Sequence, residues 1–219
     1  MIADRAPEWT ALLIGGPSVV GKSTVAKQIA RHLGVPWLQV DDLRLALQWS
    51  RVTLPEPGDT EKLYFFDETP NVWRLPPERL RNGFIGVGEV LSPAIGIVIT
   101  NHLALAEPIV LEGDGILPSV LARPDVQHYE KQTGGRVRMV CIVPADEQTI
   151  LATMLARGRG ITGRDEMDLR ANARANWLFG RWLADEARRA GLPTLDPRPW
   201  GTLGERVLAA SRAMIVPDS

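Results

Sequence analysis

Residues Gly16, Pro17, Ser18, Val19, Val20, Gly21, Lys22 and Ser23 fit the pattern GxxxxGK[ST]. The pattern joins three properties that a phosphate tail requires. Glycines let backbone N–H groups turn inward, a lysine supplies a mobile positive charge, and a hydroxyl supplies a hard oxygen ligand for Mg²⁺. Lys22 is expected to neutralise the β- and γ-phosphates of a nucleotide, Ser23 to ligate Mg²⁺, and Thr24 to follow in the same first helical turn. ATP with Mg²⁺ is the expected cofactor pair.

Further along, Asp41 and Asp42 follow a short apolar run, Trp37 to Val40, and Arg44 stands one helical turn on. A carboxylate there can position an acceptor hydroxyl and take its proton. The Asp pair could equally only cap a helix, and Arg44 could bind substrate or pair with Asp41. A third cluster, Glu112 and Asp114, ends the apolar run 109–111, where either carboxylate could act on the metal side or orient substrate. Arg157, Arg159 and Arg164 punctuate a glycine-rich stretch, 156–164, and guanidinium groups closing over a transferring phosphoryl group would stabilise its developing charge.

These groups need elements to hold them. Thr10 to Ile14 reads as a buried strand stopped by glycines, and 22–33 follows helical spacing through Val25, Ala26, Ile29, Ala30 and Leu33. Strands are expected at 37–40, 109–111, 136–143 and 193–195. Helices are expected at 43–49, 146–156 and 165–190, with a closing helix after 195. Residues 77–105 look helical with a break at Pro93. Strands alternate with helices, so the expected fold is α/β, with a mainly parallel sheet, helices on both faces and binding groups at the carboxyl ends of the strands.

At 219 residues the chain fits a single domain, with a substrate-covering insertion at about 50–106 and an Arg-rich lid at about 156–165. In the insertion, Tyr64, Phe65, Phe66 and Trp73 could line an acceptor pocket or anchor the segment, and Tyr64 is the expected substrate contact. Trp200, after the last strand, could contact an adenine base or simply pack.

Composition removes several alternatives. One cysteine and three scattered histidines exclude disulfide frameworks and Cys/His zinc sites. With 25 basic and 26 acidic side chains the formal charge is -1, so no nucleic-acid partner is expected, although 157–189 is locally rich in arginine. The apolar stretch 83–100 approaches membrane-spanning length, but Glu89, Pro93 and its glycines favour a core helix. The amino-terminal run 11–14 is too short for a secretory leader. A cytoplasmic protein with no membrane partner is the expectation.

Phosphate loops serve switches, motors and kinases alike. A guanine-reading NKxD sequence is absent, and the chain is short for an AAA module. Residues 15–47, GGPSVVGKSTVAKQIARHLGVPWLQVDDLRLAL, resemble the opening of P-loop small-molecule kinases. The likeness is to the 2-phosphoglycerate kinase-like and chloramphenicol phosphotransferase-like groups of the nucleoside monophosphate kinase-like fold, with adenylylsulfate kinases more distantly similar. The segment PIVLEGDGILP, 108–118, resembles the Walker B position of the first group, with Asp114 where a histidine is usual. The segment 156–164 resembles the mobile lid of nucleoside monophosphate kinase-like enzymes.

The resemblance implies a P-loop NTPase fold of three layers, α/β/α, with five parallel strands in the order 2-3-1-4-5. It places Asp41 beside the acceptor hydroxyl, with Asp42 as the fallback. It implies an ATP-dependent kinase whose partner is a small-molecule acceptor such as a sugar acid, nucleoside or antibiotic. The alternative is a nucleotide-dependent regulatory ATPase without such an acceptor.

Overall fold

The computed structural model describes residues 7–56, 58–158 and 163–213. Its centre is β1 (Ala11–Gly15), whose five residues are all buried. Helices cover both of its faces, and its backbone hydrogen bonds go to a strand at each edge. On one side is β3 (Ile109–Gly113), with Leu13 opposite Leu111 and Ile14 opposite Glu112; on the other is β4 (Val137–Ile142), with Gly15 opposite Cys141. Short edge strands complete a five-stranded sheet, β2 (Trp37–Gln39) beside β3 and β5 (Thr194–Leu195) beside β4. All pairings are parallel and the order is β2-β3-β1-β4-β5, as the resemblance implies.

Alternation along each strand divides the core in two. Ala11, Leu13, Ile109, Leu111, Met139 and Cys141 face a cluster formed with α5 (Pro77–Leu105), α6 (Pro124–Thr133) and α8 (Glu166–Arg189). Leu12, Ile14, Val110, Val140 and Ile142 face α1 (Lys22–Leu33) and α9 (Leu203–Arg212). The sheet is thus the middle of three layers. The free Cys141 is a core residue whose thiol burial pushes its pKa up to about 12.

Three expectations differ from the structure. Residue 40 does not extend the second strand: Val40 begins α2 (Val40–Trp49), placing Asp41 and Asp42 in its first turn. The segment 50–76 is partly ordered as α3 (Asp59–Leu63), α4 (Phe65–Glu68) and a 3-10 turn, Val72–Arg74. Helix α5 runs unbroken through Pro93. An internal proline costs about 3 kcal/mol. Val90, Leu91, Ile95 and Ile99 are buried around it, and each contributes roughly 1.5–3 kcal/mol, enough to outweigh the defect. By length and composition α5 could cross a membrane, yet half of its most apolar window is buried inside the protein.

A chain of aromatic contacts ties the insertion to this core. Phe66 stacks on Trp73 at 5.5 Å and on Phe84 of α5 at 4.7 Å, and Phe84 meets the fully buried Phe179 of α8 at 5.7 Å. These rings are anchors. Tyr64 behaves alike: its hydroxyl donates to the Gln48 carbonyl at 2.8 Å and its ring packs on the core.

Candidate active site

The loop between β1 and α1 is shaped by close approach. A Cβ on Gly16 would stand 2.3 Å from the Ile142 carbonyl oxygen, and one on Gly21, at φ 89, would stand 2.5 Å from the Trp200 ring. Val19 holds φ 63, an unusual value for a β-branched residue. Its side chain packs against the small cluster of Ile150, Met154 and Ala173, which opposes relaxation of the strained backbone. No side chain caps the start of α1. Its first-turn N–H groups therefore face the loop interior with the positive end of the helix dipole.

Lys22 is 6% exposed and donates to the Pro17 carbonyl at 2.8 Å and to Asp114 Oδ1 at 2.6 Å. Ser18 Oγ donates to the other Asp114 oxygen at 2.6 Å. One carboxylate thus ties both ends of the loop to the segment after β3. From the opposite layer, Asn176 Oδ1 accepts from the Ser18 backbone N–H at 2.9 Å. Asn176 is itself held by the Asn172 side chain at 2.6 Å, and both are buried.

Glu112 is the most deeply buried carboxylate beside the loop. It lies on the strand face shared by Val110 and Ile14, the α1 face, because side chains alternate along β3 and Glu112 pairs in register with Ile14. It is 1% exposed, and its Oε1 has no hydrogen-bond partner. Burial holds its carboxyl above the ordinary glutamate range. The Lys22 ammonium and the Ser23 hydroxyl oppose that rise, while the Asp114 and Asp41 carboxylates add to it. Lys22, Ser23, Asp41, Glu112 and Asp114 therefore occupy one electrostatic neighbourhood.

An orphaned, desolvated carboxylate oxygen beside a serine hydroxyl fits a hard divalent cation. Among the described residues no three Asp, Glu, His or Cys side chains converge to hold a metal alone. Mg²⁺ keeps waters and phosphate oxygens and takes few protein ligands. Ser23 directly and Glu112 through water are the groups that would hold it. Glu112→Gln removes the buried charge and is expected to raise Tm at pH 7 by roughly 2–6 °C. Because the folded protein holds the Glu112 proton more tightly than the unfolded chain, ionisation opposes folding at neutral pH. The gain should fade as pH falls through the Glu112 pKa toward the ordinary glutamate value. A gain independent of pH would assign the effect to something other than charge.

The first turn of α2 gives Asp41 and Asp42 different surroundings. Neither caps the helix, whose N-cap, Gln39, forms no side-chain bond. Asp42 is exposed, whereas Asp41 acts on Glu112 and pairs with Arg44 at 3.5 Å. Arg44 in turn donates to Gln48 Oε1 at 2.9 Å, and the buried Gln48 donates to the Leu63 carbonyl at 2.8 Å and to Asp67 Oδ2 at 2.6 Å. A relay through Asp67, Gln48 and Arg44 thereby links the insertion to Asp41. Sequence reading missed Gln48, Asn172 and Asn176, and the signal in each case is an amide on the apolar side of an amphipathic helix.

Of the arginines of 156–164, the two that the structure describes are not gathered over the loop. Arg157 ends α7 (Glu147–Arg157) and is exposed. Arg159 lies outside the described residues. Arg164 stands over the Trp73 ring at 4.0 Å, where burial lowers its pKa and Asp168 opposes the shift. Next to it, Arg74 forms ion pairs with Asp165 and, at 2.6 Å, with Asp168. The root of the expected lid is therefore fastened to the insertion. Trp73→Ala removes the stack on Phe66 and the seat of Arg164 together, and is expected to lower unfolding free energy in urea by about 1–3 kcal/mol. An unchanged midpoint would show that neither contact contributes.

Trp200 is 40% exposed and covers Gly21, where the loop enters α1. Thr24 faces outward from the same turn.

No family model matches this chain. In sequence it is similar to the 2-phosphoglycerate kinase of Methanothermobacter thermautotrophicus, at 27% identity over 201 residues, covering 88% of this chain and 62% of the relative. The 2-phosphoglycerate kinase of Methanocaldococcus jannaschii is 23% identical over 203 residues, covering 90% and 60%. The chain thus spans about three fifths of the length of these curated relatives. Among solved structures, a gluconokinase from Sinorhizobium meliloti aligns with a TM-score of 0.44 and 17% identity, covering 92% of this chain and 91% of the other. A shikimate kinase from Bacteroides thetaiotaomicron aligns at 0.46 and 16%, covering 91% and 94%. With a GxxxxGKS loop between β1 and α1 and the 2-3-1-4-5 sheet, the chain has the P-loop NTPase fold, and its sequence resembles P-loop small-molecule kinases.

Proposed function

We propose that this protein is an ATP-dependent kinase that transfers the γ-phosphoryl group to a hydroxyl of a small molecule. The observation that carries the reading is the meeting of Lys22, Ser23, Glu112, Asp114 and Asp41 at the carboxyl edge of β1 and β3. The loop 16–24, through the N–H groups of Val19 to Thr24 and through Lys22, binds the phosphates, and Trp200 borders the base. Bound Mg²⁺, held through Ser23 and Glu112, would neutralise charge on the β- and γ-phosphates. Asp41 accepts the proton of the acceptor hydroxyl as its oxygen bonds to phosphorus, while the bond to the bridging oxygen of ADP breaks.

Asp42, Arg44, Tyr64 and Asp114 remain the proposed acceptor side, with Tyr64 contributing through the placement of Gln48. Arg157, Arg159 and Arg164 would close on the phosphoryl group after Arg164 leaves Trp73. In this reading the chain is one domain with a covering insertion at about 50–106 and a lid at about 156–165, and α5 is the core helix of a cytoplasmic enzyme. The two curated relatives make 2-phosphoglycerate the first acceptor to try.

The test is phosphoryl transfer itself. Purified protein with Mg·ATP is incubated with 2-phosphoglycerate, gluconate, shikimate, nucleosides and aminoglycosides, and products are read by mass spectrometry and ³¹P NMR. A phosphorylated acceptor formed in proportion to ADP is expected. ADP release that no acceptor stimulates, together with nucleotide-dependent binding of a protein partner, would replace this reading with a regulatory ATPase.

A further inference from the structure

A second basic feature lies away from the phosphate loop. Helix α8 presents Asn172, Asn176 and Phe179 inward, and Asn176 reaches Ser18. Its opposite face carries Arg174, Trp177 and Arg181 at helical spacing, with both arginines exposed. With Trp182 and Asp185 of α8 and Arg81 of α5, they line an open cleft of about 380 Å³.

The arginines are prearranged. The Arg174 and Arg181 guanidiniums stand 4.6 and 5.4 Å from the Trp177 ring centroid. An indole that seats two cations reduces the entropy lost when they bond a ligand. Among the described residues, Arg81 and Arg181 have no carboxylate partner, and Arg81 bonds only the neutral Asn82 amide, at 3.1 and 2.8 Å. Arg174 pairs with Glu147 at 3.0 Å, and Asp185, the one acid in the cleft, pairs with Arg188 at 2.8 Å.

We propose that this cleft binds a small phosphoanion, a phosphomonoester or diphosphate, at a site separate from the proposed nucleotide site. Guanidiniums contributed by two helices point to phosphate rather than carboxylate. One planar carboxylate satisfies a single fork, whereas a tetrahedral dianion accepts from several directions. The size of the cleft suits a metabolite. A nucleic-acid track is disfavoured because Glu147, Glu166 and Asp185 interrupt the cations along this face. The site does not depend on the kinase reading.

The test uses the full chain labelled with ¹⁵N. Inorganic phosphate, pyrophosphate and glycerol 3-phosphate are titrated separately, with malonate and sodium chloride at matched ionic strength as controls. The Trp177 indole N–H, assigned with Trp177→Phe, reports the cleft, and the Gly21 amide reports the phosphate loop. A saturable Trp177 response to a phosphoanion is expected, with an apparent Kd raised at least about tenfold in Arg81→Gln/Arg181→Gln. Response to phosphate alone would mean a free-ion site. Stronger response to glycerol 3-phosphate would mean a phosphorylated metabolite, and either supports the proposal.

A Trp177 shift that rises linearly as with chloride, that malonate reproduces, or that the double variant retains would overturn it. Failure of the kinase reading shows elsewhere, as absence of a Gly21 response to Mg·ATP.

Discussion

Asp41→Asn is expected to leave Mg·ATP affinity within about twofold of wild type while lowering turnover by about 10²- to 10⁴-fold. The amide keeps the size of the carboxylate and its place in the first turn of α2, so the ion pair with Arg44 becomes at most a hydrogen bond from the guanidinium to a neutral amide oxygen, and the fold is untouched. What disappears is the ability to take a proton. The loss should fall on kcat and on kcat/KM together, because an interaction made only as the acceptor oxygen attacks does not help ground-state binding. Isothermal titration with the nucleotide and steady-state kinetics on the identified acceptor separate the two quantities. Turnover equal to wild type would move the base to Asp42 or Asp114. A large loss of nucleotide affinity would mean that Asp41 belongs to the nucleotide side of the site.

The parts legible in the sequence share one trait: each is decided within about ten neighbouring residues. The phosphate loop, the buried run 11–14 and the acidic end of β3 were all readable because local spacing and backbone demands fix them. The relationships between them were less so. Lys22 meets Asp114 across 92 residues, and Ser18 meets Asn176 across 158. No local pattern encodes such a pairing.

Helix α6 escaped notice although Pro124 at its start and Gly134 at its end are ordinary boundary signals. Its ten residues bury only Val126, so apolar periodicity is nearly absent. Pro93 misled in the opposite direction. A local rule predicts a break, and tertiary burial along α5 overrides it. Arg164 shows the same limit at the site. Its charge suggested a place over the phosphates, and the neighbouring Trp73, distant by 91 positions in the chain, determines where it rests.

Lys22→Ala should abolish measurable transfer, a loss of at least about 10³-fold, and should weaken Mg·ATP binding by tenfold or more. It should also destabilise the protein. The ammonium is almost wholly buried, and it holds Asp114, 26% exposed, while offsetting the desolvation of Glu112. Removing one partner of such a pair costs about 3–5 kcal/mol when both are buried, and the partial exposure of Asp114 reduces that to about 1–3 kcal/mol. Without Lys22 the Glu112 carboxyl loses an influence that lowers its pKa, so the destabilisation should shrink as pH falls and Glu112 takes up its proton.

Lys22→Ala/Asp114→Ala separates the two consequences. Unfolding in urea should show stability partly restored in the double variant, because Asp114 is no longer left without its cation and no longer repels Glu112, while transfer stays lost. If the double variant is no more stable than Lys22→Ala, the pair contributes nothing to the fold and the 2.6 Å contact is incidental. If Lys22→Ala retains transfer, the loop does not position a phosphoryl donor, and the proposed reaction fails with it.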